Sequence, residues 1–149
     1  MNKPKRKGTA AESAVVKYLR MEGFIHADRA CLHGNADIGD VIGIPNVCIE
    51  VKNCKAIERE KWLSELEVEI ANFEAHFNEP VIAAGVWRKV RGQSHPSRWD
   101  VDIPHDLAKR AFHRYPGCRP ITVPGALFVE IIKQQTREVE NGKAEQGAT

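Results

Sequence analysis

Three residues of this chain could do chemistry together if a short hairpin forms. Glu50-Val51-Lys52 ends the apolar run Val47-Cys48-Ile49, and Asp40 opens the run before it, across a turn at Ile44-Pro45-Asn46. If residues 40–43 pair antiparallel with 47–50, Asp40 falls opposite Glu50, and directly opposed strand residues share a face. Lys52 joins them because strand side chains alternate. Two close carboxylates repel unless a cation joins them, and all-oxygen ligation suits Mg²⁺, with Mn²⁺ as a substitute, better than Zn²⁺. A lysine beside such a cation can hold or deprotonate a water nucleophile, which is the chemistry of a metal-dependent phosphodiesterase. The bland alternative is an exposed E-x-K pair, solvated and worth little. It fits poorly with strands that are otherwise apolar, because a buried charged trio costs free energy.

The elements that must position these groups are legible in outline. Residues 9–22 read as a helix closed by Gly23. Within it, Thr9 and Glu12 have the spacing of a capping box, yet Glu12 also lies on the stripe of Val16 and Leu19, from which it could reach a metal site. Residues 56–78 read as a long amphipathic helix with the stripe Trp62, Leu66, Ile70, Phe73 and Phe77 covering one face of a sheet. Val81–Trp87 is apolar throughout, as in a buried central strand, and Trp99–Ile103 alternates as in an edge or half-buried strand. A helix is predicted over 105–115, stopped by Pro116-Gly117, and a last helix after Pro124-Gly125, where a strand is also possible. The expected product is a single α/β domain: a mixed sheet of about five strands flanked by helices.

The 149 residues suffice for one domain with a core, and no repeat or second domain is visible. A net charge of +2 announces no general affinity for nucleic acid. Its distribution is uneven. Lys3, Lys5, Arg6 and Lys7 form a basic arm over residues 1–7, and Arg88, Lys89, Arg91 and Arg98 gather around a Gly/Ser/Pro-containing loop. Both are candidate DNA contacts; the arm could equally be a solubilising tail. Glu58, Glu60, Glu65, Glu67, Glu69, Glu74 and Glu79 give the middle segment an acidic surface that would steer a duplex toward the hairpin. The compact domain is expected over 8–135, with a polar, frayed tail over 136–149. The four cysteines, Cys31, Cys48, Cys54 and Cys118, have no zinc spacing, Cys48 reads as a small core residue, and Cys31, His33 and His26 are too irregular for a metal site. No apolar run spans a bilayer and no export signal is seen, so a reducing cytoplasm is expected, that of a host if the gene is phage-borne.

Gly8-Thr9-Ala10-Ala11-Glu12, Asp40-Val41-Ile42-Gly43 and Ile49-Glu50-Val51-Lys52 follow one another in an order that resembles the PD-(D/E)xK nuclease superfamily. More closely the chain is similar to the archaeal-type Holliday junction resolvases and their phage relatives. Gly85-Val86-Trp87-Arg88 and Trp99–Pro104 add to a likeness that covers about residues 8–104. The resemblance implies a restriction-endonuclease-like fold, with one or two Mg²⁺ (or Mn²⁺) among Glu12, Asp40, Glu50 and the Val51 carbonyl, and Lys52 placing or activating the water. It further implies cleavage of branched double-stranded DNA to 5′-phosphate ends by a two-fold symmetric homodimer. Asp37 lies at the longer spacing to Glu50 seen in some archaeal members; Asp40 is preferred on hairpin register. The residue before the aspartate, often proline in the family, is Gly39 here. No counterpart of the serine found in some relatives is clear, His33 and Asn35 being weak candidates. Other readings stay open: a flap, fork or other structure-specific nuclease on the same fold, a catalytically silent nucleic-acid-binding module, and a partner protein using its aromatic helix as an interface.

Overall fold

A computed structural model of the chain describes residues 3–30, 37–111 and 120–147. Its core is a mixed six-stranded sheet in the order β1-β2-β3-β4-β5-β6, comprising Asp28–Arg29, Val41–Ile42, Val47–Lys52, Ala83–Arg88, Asp100–Ile103 and Ile121–Pro124. Among the described strands only β3 and β4 run parallel, and the crossover between them is the helix α2 (Arg59–Phe77), as parallel neighbours require. Among the described residues two further long helices, α1 (Lys3–Met21) and α4 (Gly125–Gly147), the short α3 (His105–Ala111) and a 3₁₀ turn at Pro96–Arg98 accompany the sheet. No helix among the described residues is long and apolar enough to cross a membrane.

Alternation along β4 divides the molecule into two layers. Trp87 points toward α1 and α4, its ring meeting Tyr18 edge-on at 6.0 Å and Phe128 at 5.6 Å. Val15, Leu19, Ile49, Val101, Phe128 and Ile132 are fully buried in the same cluster. The indole N–H of Trp87 donates to the Pro96 carbonyl at 3.0 Å, so the buried ring carries no unmet donor. On the opposite face, under α2, Glu50, Lys52, Arg88 and Asp102 line adjacent strands, because Lys52 registers with Arg88, and Val86, the neighbour of Glu50, with Asp102. Trp62, Leu63, Leu66 and Phe73 of α2 close over this face.

The hairpin forms in the expected register, with Val41 opposite Ile49 and Asn46 in the left-handed region (φ 65°) at the turn. Helix α1 ends where expected, Phe24 N–H returning to the Leu19 carbonyl at 3.0 Å around Gly23. Other boundaries differ. α1 begins at Lys3, so Lys3, Lys5, Arg6 and Lys7 belong to a helix rather than an arm, and Thr9 lies inside that helix instead of capping it. α4 continues to Gly147 through the segment expected to fray. β5 is not an edge: it pairs with β4 on one side and β6 on the other, and three of its four residues are buried. The strands β1 and β6 were not expected, being too short to show a period. Residues 112–119, with the predicted helix end at Pro116-Gly117, and Cys31, His33, Asn35 and Cys118 lie outside the described residues.

Candidate metal centre

The site grows from β3. Glu50 and Lys52 project from it toward α2, and the Lys52 ammonium sits 3.4 Å from Glu50 Oε1. Asp40 comes alongside from the start of the hairpin. Its N–H donates to the Ile49 carbonyl at 2.8 Å, and its Oδ2 accepts from the Val51 N–H at 2.8 Å. Val51, whose carbonyl was a predicted ligand, is buried within β3 and thereby holds Asp40 through its amide.

Asp37 reaches the same place by a different device. Its Oδ1 accepts from the Gly39 N–H at 3.1 Å, closing a tight turn between the two aspartates. Gly39 has φ 98°, and a Cβ there would lie 2.8 Å from the Ile49 carbonyl oxygen. A proline here, locked near φ −65°, could not make this turn.

The third contributor is one that sequence reasoning assigned to an acidic surface. Glu69 of α2 is only 5% exposed, and Glu50 only 8%. One oxygen from each of Asp37, Glu50 and Glu69 lies within 4.8 Å of the other two. Glu65, one turn earlier, pairs with Lys52 at 3.6 Å, and Trp62 offers its ring face to the same ammonium at 5.8 Å. Glu69 could have been found: Trp62, Leu66, Glu69 and Phe73, all buried, recur at four, three and four. An acid thus interrupts a perfect apolar seam. Glu58, Glu60, Glu67, Glu74 and Glu79 are exposed as expected.

Electrostatics mark the cluster as short of positive charge. Burial, then the charge of Glu50, pushes the Asp40 carboxyl up to about 8 against the pull of the Val51 N–H. Burial, then Glu69, pushes Glu50 up to about 8 despite Lys52. Glu69 rises to about 7, chiefly through burial. Glu50 Oε2 and Glu69 Oε2 are buried and nothing donates to them. Only a shared proton or a cation can hold such oxygens together. Partial burial lowers the pKa of Lys52, but Glu50, Glu65 and Asp40 outweigh it and the net shift is upward, keeping it an ammonium. Cys48, buried as expected on the Glu50 side, has its thiol pKa raised by burial and by the neighbouring acids. Carboxylate oxygens without donors, beside a fixed ammonium, form a donor set for a hard divalent cation.

The remaining predicted residues divide. Glu12 lies close enough for its charge to raise the Asp40 pKa, but its Oε2 is taken by Arg29, whose Nε and Nη2 both stand 3.0 Å away. Lys7, Lys89, Arg91 and Arg98 are exposed, and Lys89 also covers the Trp99 ring at 5.7 Å. The loop carrying Lys89, Arg91 and Arg98 leaves the end of β4 beside Lys52, where the Lys89 N–H donates to the Lys52 carbonyl at 2.8 Å. Arg88 must be corrected. It is 8% exposed, its Nε donating to Asp102 Oδ2 at 2.8 Å and its Nη1 standing 3.4 Å from Asp100. It is the last residue of β4 on the α2 face, so it serves as a counter-ion for a buried acid and not as a surface contact.

Comparisons with protein-family models, with curated proteins and with solved structures find no match for this chain.

Proposed function

We propose that the protein is a metal-dependent endonuclease that hydrolyses phosphodiester bonds in branched DNA, with four-way junctions as its principal substrate. One observation carries the reading: Asp40, Glu50 and Lys52 converge on a single sheet face beside buried carboxylate oxygens that have no donor. A Mg²⁺ or Mn²⁺ ion held by the carboxylates around Glu50 would neutralise charge on the scissile phosphate and lower the pKa of an attacking water. The residues of the chain do the positioning. Lys52 enters as an ammonium, held by Glu50 and Glu65, and offers its remaining donor capacity to the water or to a phosphate oxygen. Asp40, pinned through Oδ2 by the Val51 N–H and lying beside Glu50, would orient the water next to the ion. Exposed Lys89, Arg91 and Arg98 at the Lys52 end of the sheet supply phosphate contacts. Cutting two symmetry-related strands of a junction asks for two copies about a two-fold axis.

The test is a matched panel of four-way, Y-shaped, flapped, linear duplex and single-stranded DNA, incubated with Mg²⁺ or with EDTA. Junction cleavage in Mg²⁺ alone is expected, and Lys52→Ala should lower its rate by about 10²–10⁴-fold. Equal cutting in EDTA, or a Lys52→Ala protein as fast as wild type, would remove this reading. Preference for the flapped substrate would move it to a flap nuclease on the same site.

A further inference from the structure

We propose that the third carboxylate of the cation site is Glu69 of α2, and that Glu12 of α1 is the structural ion-pair partner of Arg29 and not a ligand. The inference rests on the metal-dependent reading above and changes which elements build the centre. Its first support is distance. Ligand oxygens around Mg²⁺ at about 2.1 Å lie within about 4.2 Å of one another, and around Ca²⁺ at about 2.5 Å within about 5 Å. The Asp37, Glu50 and Glu69 oxygens lie within 4.8 Å of one another, so one cation can reach all three once the side chains draw in around it.

The second support is satisfaction. Glu69 Oε2 and Glu50 Oε2 are buried, belong to residues only 5% and 8% exposed, and accept from nothing. Glu12 is in the opposite condition, with two guanidinium nitrogens of Arg29 at 3.0 Å from one oxygen. Glu12 stands outside the group of acids whose oxygens come within 4.8 Å of one another and is engaged by Arg29, whereas Glu69 stands inside it and, among the described contacts, meets only Glu50, a fellow ligand. The third support is construction. Asn72, three residues after Glu69 and so on the same side of α2, donates its side-chain N–H to the Asp37 carbonyl at 3.0 Å. The helix that carries Glu69 therefore clasps the backbone that carries Asp37, which keeps the two residues' main chains close together.

The experiment is Mn²⁺ binding to the full-length protein at pH 8, followed by the electron paramagnetic resonance of free Mn²⁺ and by titration calorimetry. Wild type, Glu69→Gln, Glu69→Asp and Glu12→Gln are compared, each with its melting curve recorded in EDTA. Glu69→Gln should weaken Mn²⁺ binding by at least about ten-fold, and Glu12→Gln by less than about three-fold. If Glu69→Gln does not fold, Glu69→Asp carries the test and should still lose several-fold, its carboxylate drawn back by one methylene. Mn²⁺ binding unchanged in the Glu69 variants, a loss in Glu12→Gln as large as theirs, or no binding by wild type would overturn the assignment. Cleavage is scored separately. A wild-type protein that binds Mn²⁺ through Glu69 and cuts no DNA supports the ligand assignment while removing the nuclease reading.

Discussion

The two faces of the central sheet are built to opposite rules. Toward α1 and α4 the strands present Ile49, Val51, Trp87, Val101 and Val123, and the helices answer with Val15, Leu19, Phe128 and Ile132. Toward α2 the same strands present Glu50, Lys52, Arg88 and Asp102. Part of that polar face is balanced: Asp102 is 1% exposed, but Arg88, Arg59 at 3.2 Å and the Thr122 hydroxyl at 2.6 Å all reach it. The part around Glu50 is not. Alternation lets one strand serve both ends, folding the domain with its odd-numbered residues in β3 and holding an under-compensated acid cluster with its even ones.

Emptying the dry face should have the largest effect. Phe128→Ala removes a fully buried ring that packs on Trp87 and is expected to cost about 3–5 kcal/mol in urea unfolding. Cleavage per folded molecule should stay unchanged, and a matching fall in the rate of the folded fraction would mean that the two faces are not separable.

The wet face should answer to pH with the opposite sign. Carboxyls whose pKa is raised in the folded state, Glu50 from 4.5 to about 8 among them, bind protons more tightly folded than unfolded. Their contribution is therefore complete below pH 4.5 and is lost as pH rises to about 8. Melting temperature in EDTA should fall across that window. Glu50→Gln should flatten the profile and melt a few degrees higher than wild type at pH 8, about 2–4 °C for each kcal/mol at this chain length. Mg²⁺ should restore the wild-type melting temperature and leave Glu50→Gln where it was. A wild-type profile that rises between pH 5 and 8 in EDTA would contradict the imbalance.

The smallest expected effect separates the arginines that sequence reading grouped together. Arg91→Ala should weaken junction binding a few-fold and lower the slope of log affinity against log salt by about 1, as for one lost phosphate contact. Arg88→Ala should leave that slope alone and destabilise the fold, since it takes the donor from Oδ2 of the buried Asp102 and leaves only the contacts to Oδ1. A salt slope that fell with Arg88→Ala and not with Arg91→Ala would reverse the correction.

What could be read from sequence was what is local. The hairpin carries its own period and its own turn at Pro45-Asn46, so the sequence alone places Asp40, Glu50 and Lys52 on one face. Helix α2 was legible for the same reason, though its stripe was drawn through Ile70, half-buried, and past Glu69. An acid on an amphipathic helix is ordinarily solvated, and only its three-dimensional neighbours, Asp37 and Glu50, make burial tolerable. Arg88 failed on the same principle: its partners Asp100 and Asp102 sit one strand away across a loop. The start of α1 at Lys3 and the length of α4 also escaped, because the residues there carry no apolar stripe to extend the pattern.

Gly39 holds an unusual position among these groups. It brings no functional atom, yet the aspartates on either side of it are spaced by a backbone turn that an L-amino acid with a side chain adopts only under strain, and the Ile49 carbonyl leaves no room for a methyl. In a saturation scan for lost activity it would therefore score beside the acids, as the one achiral member of a constellation otherwise recognised by its charges.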